Sequence, residues 1–156
     1  MKATHIGSIG VVVLAGLFVC GNAAAELNDV NWTGEGDGVT WHDPANWSSA
    51  PDLPGESDRA VVELEPEGVI EHSSGDTLIG ALDLTGDMDL SGGQLSVVES
   101  GTIDGMLTLD GGELTGGPWD VEDHLAATSN SGNVLDGVEI NGDLHLDERG
   151  AHVRVE

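Results

Sequence analysis

A short frame, Gly-x-Leu-x-Leu, recurs three times and limits what this chain can fold into. It appears as Gly80-Ala81-Leu82-Asp83-Leu84, Gly105-Met106-Leu107-Thr108-Leu109 and Gly142-Asp143-Leu144-His145-Leu146, with starts 25 and then 37 residues apart. Variants stand between the copies: Gly86-Asp87-Met88-Asp89-Leu90, Gly93-Gln94-Leu95-Ser96-Val97 and Gly112-Glu113-Leu114-Thr115. Apolar residues two apart share one face of a strand, so Leu82 and Leu84 are buried while Asp83 stays wet. No strand this short buries its face alone. Glycine-marked repetition over roughly 20 to 30 residues is the pattern of a solenoid, whose coils stack so that their apolar stripes merge.

The sequence therefore predicts an all-β fold, a right-handed parallel β-helix (β-solenoid) with a Trp-rich N-terminal cap. An antiparallel β-sandwich is the alternative, because its strands also recur with turn signals between them. The solenoid is preferred because the strand pieces are very short and repeat one composition. Arg59–Leu64 reads as the first regular strand, Pro66-Glu67-Gly68 as its turn and Val69–His72 as the next strand. Ser129-Asn130-Ser131-Gly132-Asn133 reads as a loop that lengthens the last interval.

Residues 1–25 read as an export signal: Lys2, an apolar run from Ile9 to Val19, and Ala23-Ala24-Ala25 with cleavage after Ala25. The run is too short to span a bilayer, which takes ~20 residues. Cys20, the sole cysteine, raises lipoprotein processing as an alternative, but Val19 is larger than such a cleavage box accepts. The expected product is secreted or displayed at the cell surface, with no membrane insertion once the signal is removed. It has no disulfide, so packing must hold it together.

All 29 Asp and Glu follow residue 25, against Arg59, Arg149 and Arg154, a formal charge of −26. Such a surface excludes nucleic acid and anionic membranes as partners, since both need a basic face. No cofactor is expected. Calcium is the one candidate, with oxygen ligands at Glu35 and Asp37, at Asp87 and Asp89, and at Asp120, Glu122 and Asp123. None of these has the spacing of an EF-hand loop or a calcium-filled β-roll.

Residues 26–58 form a segment of different composition, holding Trp32, Trp41 and Trp47 with Pro44, Pro51 and Pro54. A stacked core has open ends, and each needs an atypical cap. Trp32, Trp41, Asn46 and Trp47 are the candidate cap residues, because large rings cover an apolar layer and prolines block further strand pairing. Their alternative use is glycan contact, as an aromatic platform for a cell-surface sugar.

The wording Trp32, then Trp41-x-Asp43-Pro44-x-Asn46-Trp47-Ser48, then Pro54-Gly55 and Asp58 before an apolar strand resembles the N-terminal segment of large exported bacterial β-solenoid proteins. These are the autotransporter-passenger kind and the repeat-rich surface proteins of planctomycetes. The run from Asn133 to Leu144 is similar to coils of the same proteins. The resemblance implies a parallel β-helix in a surface scaffold, with no catalytic residues to carry over. Such proteins usually continue for many coils. The strand His152-Val153-Arg154-Val155-Glu156 therefore reads as a truncation point of the 59–156 coils, or as an end that needs further coils or a partner.

Nothing in the chain has the pattern of an enzyme. Basic residues that would neutralise a uronic acid are scarce, tyrosine is absent, and no Ser or Thr sits in a nucleophile motif. His42, His72, His124, His145 and His152 are scattered, with His145 and His152 the pair that a corner brings nearest. The expectation is a secreted or cell-surface structural or adhesive segment without catalytic activity, with surface glycan or envelope components as partners. The alternatives are a carbohydrate-binding module and a fragment of a polysaccharide-degrading β-helix enzyme.

Overall fold

The computed structural model describes residues 26–64 and 68–156; the export signal and residues 65–67 lie outside the described residues. The chain forms a parallel β-solenoid of about five turns, with 55% of the described residues in strand. Each turn lays one strand on each of three faces. The first face carries β1 (Asn28–Asn31), β2 (Asp58–Glu63), and parts of β4 (Asp76–Thr85), β6 (Gln94–Ile103), β9 (Pro118–Ala127) and β11 (Glu139–His145). The second carries β3 (Val69–His72), β5 (Asp87–Leu90), β7 (Leu107–Leu109) and the far ends of β9 and β11. The third carries the near ends of β4 and β6, then β8 (Glu113–Gly116), β10 (Val134–Asp136) and β12 (Arg154–Val155). Every strand-to-strand pairing is parallel, which excludes the sandwich.

The register sets the coil length. Arg59 lies beside Ala81, Ala81 beside Ser100, Gly101 beside Trp119 and Pro118 beside Glu139, separations of 22, 19, 18 and 21 residues. The three Gly-x-Leu-x-Leu copies are therefore not one rung repeated. Leu82 and Leu84 fill the first face, whereas Leu107 and Leu144 fill the second. The first face's interior column runs Val30, Ala60, Leu82, Gly101, Trp119, Ile140. The second's runs Ile70, Met88, Leu107, Leu125, Leu144, and the third's Thr77, Leu95, Leu114, Leu135, Val155. Coverage from both sides keeps the middle layers dry, and Leu82, Leu95, Leu107 and Leu125 are all fully buried.

The register of β2 and β3 agrees with the strands expected at Arg59–Leu64 and Val69–His72 to within a residue. The ladder starts earlier than that, however, because β1 inside the Trp/Pro-rich segment already pairs with β2. Its polar sequence, Asn28-Asp29-Val30-Asn31, buries only Val30 and gives little apolar signal.

One neighbour pair shows how closely the coils interlock. Trp119 is fully buried directly above Gly101, and a Cβ placed on Gly101 would fall within the indole's van der Waals envelope. The Trp119 Nε1 is buried without a hydrogen-bond partner, so the ring holds this position through packing. Gly101→Val is expected to destabilise the fold by about 1–3 kcal/mol through overpacking, read as a lowered urea midpoint with an unchanged slope. An unshifted midpoint would show that the ring moves aside without cost.

Candidate functional site

Two places combine polar chemistry with defined geometry: the N-terminal end of the stack and a cleft on the outside of the second face.

At the N-terminal end, Thr40 bridges in parallel to Glu71, which carries the second face's ladder one rung past β3 and turns Trp41 inward beside His72. Trp41 and Trp47 are 0% and 1% exposed and meet edge to face at 4.7 Å. Trp32 packs edge-on against Trp47 at 5.0 Å and is partly buried. The Trp47 indole N–H donates to the Trp41 carbonyl at 2.8 Å, so the ring is covered without an orphaned donor.

Asn46 organises the loop around these rings. It is fully buried, its Oδ1 accepts from the Gly36 and Gly38 amides, and its Nδ2 donates to Asp37 Oδ1 and the Thr40 carbonyl. Asp43 caps the single turn of 3-10 helix at Pro44–Asn46 by accepting from the Ala45 amide, and its other oxygen takes the Asp37 amide. The Thr40 side chain, then the Thr40 and Val39 amides and the Asn46 carboxamide, hold the Asp37 carboxyl well below the usual carboxylate range.

Beneath the rings a polar chain enters the core. His72 occupies the interior column continued by Leu90 and Leu109, and is fully buried. Its Nδ1 donates to the Gly92 carbonyl at 2.9 Å, which leaves Nε2 to accept from the Thr77 hydroxyl at 3.0 Å. The Thr77 oxygen in turn accepts from His42 Nε2 at 3.2 Å. This sequence of donors and acceptors is complete with both imidazoles neutral. Burial pushes both histidines below the usual imidazole value, and for His72 the neighbouring His42 adds to it while the Gly92 bond opposes it.

The cleft, of about 540 Å³, spans three coils and is lined by Met106 and Thr108, then Asp123, His124 and Ala126–Thr128, then His145, Asp147 and Glu148. Thr108, Ala126 and His145 are lateral neighbours on the outward side, so alanine forms a low floor between a hydroxyl and an imidazole. Two His–Asp pairs face this space: His124 Nε2 lies 3.7 Å from Asp123, and His145 Nδ1 lies 3.5 Å from Asp147. The far wall is tied down where Glu148 accepts from the Ser129 amide and hydroxyl, and where Thr128 donates to Asp110. Behind it, buried Asn133 donates to the Thr128 and His152 carbonyls and accepts from the Gly111 amide.

A mismatch between corners creates the cleft's upper edge. Asn141 pairs with Asp120 and Leu144 with Leu125, so β9 spends five steps where β11 spends three. The extra length bulges outward. Glu122 takes a positive φ of 45°, unusual for a residue with a Cβ, and Gly142 sits over its backbone where no side chain would fit. Consecutive strand residues normally alternate sides, but here one donor atom each from Glu122, Asp123 and His124 fall within 4.8 Å of one another.

Of the acids considered as calcium ligands, Asp37 is committed to its own loop, Asp87 accepts from the Met106 amide, and Asp120 accepts from Asn141. Burial, followed by the nearby carboxylates, raises Asp89, although its bond with Thr108 opposes the shift. Among the described residues, Glu122 and Asp123 with His124 form the one group of three or more such side chains whose donor atoms gather within 4.8 Å. Among the other histidines, His145 shares the cleft with His124, while His152 is exposed and bonds to the Gly150 carbonyl. The sequence does not show that His124 and His145 share one cleft, because they are 21 residues apart and only coil stacking unites them. Among the described residues no helix is long and apolar enough to cross a membrane. No protein family, curated protein or solved structure matches the chain.

Two outcomes follow from the cap. Asn46→Ala strips partners from the Gly36 and Gly38 amides and the Thr40 carbonyl, and is expected to cost roughly 3 kcal/mol in the main unfolding transition. Loss confined to a local, early transition would separate this loop from the stack. Because the folded values of His42 and His72 are depressed, the unfolded chain binds more protons below its own imidazole value of about 6.5. Stability should therefore hold above that pH and decline below it as pH falls through the folded values. Urea midpoints at pH 8 and pH 5.5 test this, and equal midpoints would refute the neutral pair.

Proposed function

We propose that the chain is an exported, non-catalytic β-solenoid segment that does structural or adhesive work at a cell surface, after removal of residues 1–25. The observation that carries this reading is the allocation of side chains. Inward positions are spent on apolar ladders, polar only at His72 and Thr77 near the N-terminal end, while acids are distributed over the outer faces of successive coils. A stack of this kind gains length and rigidity by repetition, which is what a surface scaffold needs. The strong negative charge keeps it soluble and disfavours polyanionic partners, leaving neutral or basic envelope components and surface glycans.

The cap geometry favours a structural role for the tryptophans. Sugar stacking takes an open ring face, and Trp41 and Trp47 present none, while Trp32 keeps a partly open one. The autotransporter-passenger and planctomycete surface proteins that the Trp/Pro segment resembles supply the cellular setting of this proposal.

Protease shaving of intact cells, with N-terminal sequencing of the released protein, tests the location. A product beginning at Glu26 and removed by external protease is the expected result. An uncleaved product protected inside the cell would overturn it.

A further inference from the structure

We propose that the bulge at Glu122, Asp123 and His124 is a binding site for a divalent transition-metal ion of the zinc class, opening onto the cleft that His145 and Asp147 line. This stands apart from the scaffold reading and holds whether or not the protein is exported.

Three observations carry it. The donor set is mixed, two carboxylates and an imidazole, gathered within 4.8 Å. Imidazole suits zinc, copper and nickel, whereas calcium takes oxygen ligands only, so the histidine selects the metal class. Second, His124 is a ring with an unmet need. Its Nδ1 is shut off from water and has no hydrogen-bond partner, although the side chain as a whole is only partly buried. Nε2 is the nitrogen turned toward Asp123, at 3.7 Å, so with the ring proton on the shut-off Nδ1 the Nε2 lone pair is left for a cation among the carboxylates. Third, the same cleft holds a second imidazole–carboxylate pair, His145 with Asp147. Three protein ligands leave a fourth position of a tetrahedral ion open to solvent or substrate.

The bulge is built into the stack and does not depend on the metal to exist. Gly142 covers Glu122, and β9 is held on one side by β7 and on the other by β11. A cation there would replace carboxylate repulsion with coordination at a point where the backbone is already committed.

The test is calorimetric titration of the protein with zinc chloride at pH 7.5 in physiological salt, with calcium chloride as comparison. One saturable zinc site, at least tenfold tighter than any calcium binding, is expected. His124→Asn should weaken it at least tenfold, and Glu122→Gln should weaken it measurably, with urea midpoints of the metal-free proteins unchanged. Absence of a saturable site, equal affinity for calcium, or undiminished zinc binding by His124→Asn would overturn the proposal. Imidazole nitrogen NMR of the unsubstituted protein gives a second reading that needs no variant. Zinc must shift the His124 signals, and movement of His42 or His152 alone would place the metal elsewhere.

Discussion

The structure rests on in-register stacking of unlike side chains along parallel ladders. Backbone hydrogen bonds fix neighbouring coils less than 5 Å apart, so each inward residue must complement the one above and below it in volume. The column Val30, Ala60, Leu82, Gly101, Trp119, Ile140 shows the consequence, since its one aromatic ring sits over the residue with no side chain. A regular sequence repeat would not achieve this. Volume is balanced between coils, and individual rungs are free to differ.

Stacking also creates its own problem at the ends, where a layer has a neighbour on one side only. At the N-terminal end the interior changes character over one coil. Leu90 and Leu95 give way to His72 and Thr77, which bond to each other and to His42, and the tryptophans close over them. A polar group so placed costs nothing net if every donor and acceptor is met, and it fixes how the cap sits on the stack. Asn46 plays the same part for the cap's backbone that β2 plays for β4, supplying partners that a missing strand would otherwise provide.

Departures from regularity mark the chemically distinctive place. The coils differ in corner length, and the surplus in β9 is expelled as a bulge between Asp120 and Leu125. A long loop after Thr128, anchored by Asn133, raises the opposite wall. Between them, carboxylates that elsewhere stand separately on a solvated face are drawn together beside two imidazoles. The irregularity of the fold and the concentration of ligand-type side chains thus have a common origin.

Much of this was legible beforehand. Alternating Leu and acid determined strands, because a two-residue period has one meaning for burial, and the glycine-headed repetition favoured a solenoid over the sandwich that only the parallel register excluded. The clustering of Trp32, Trp41 and Trp47 with Asn46 marked a segment unlike the coils, since those residues break the repeat. The coil length was not legible: identical Gly-x-Leu-x-Leu frames fall on different faces, so their spacings of 25 and 37 residues overstate a rise that the register puts at 18 to 22. The convergence of Glu122, Asp123 and His124, and their meeting with His145 and Asp147, belonged wholly to the tertiary structure. A sequence states which side chains alternate along one strand, but lateral neighbours in a solenoid are set by how many residues each corner consumes, and that number is decided only when the coils pack.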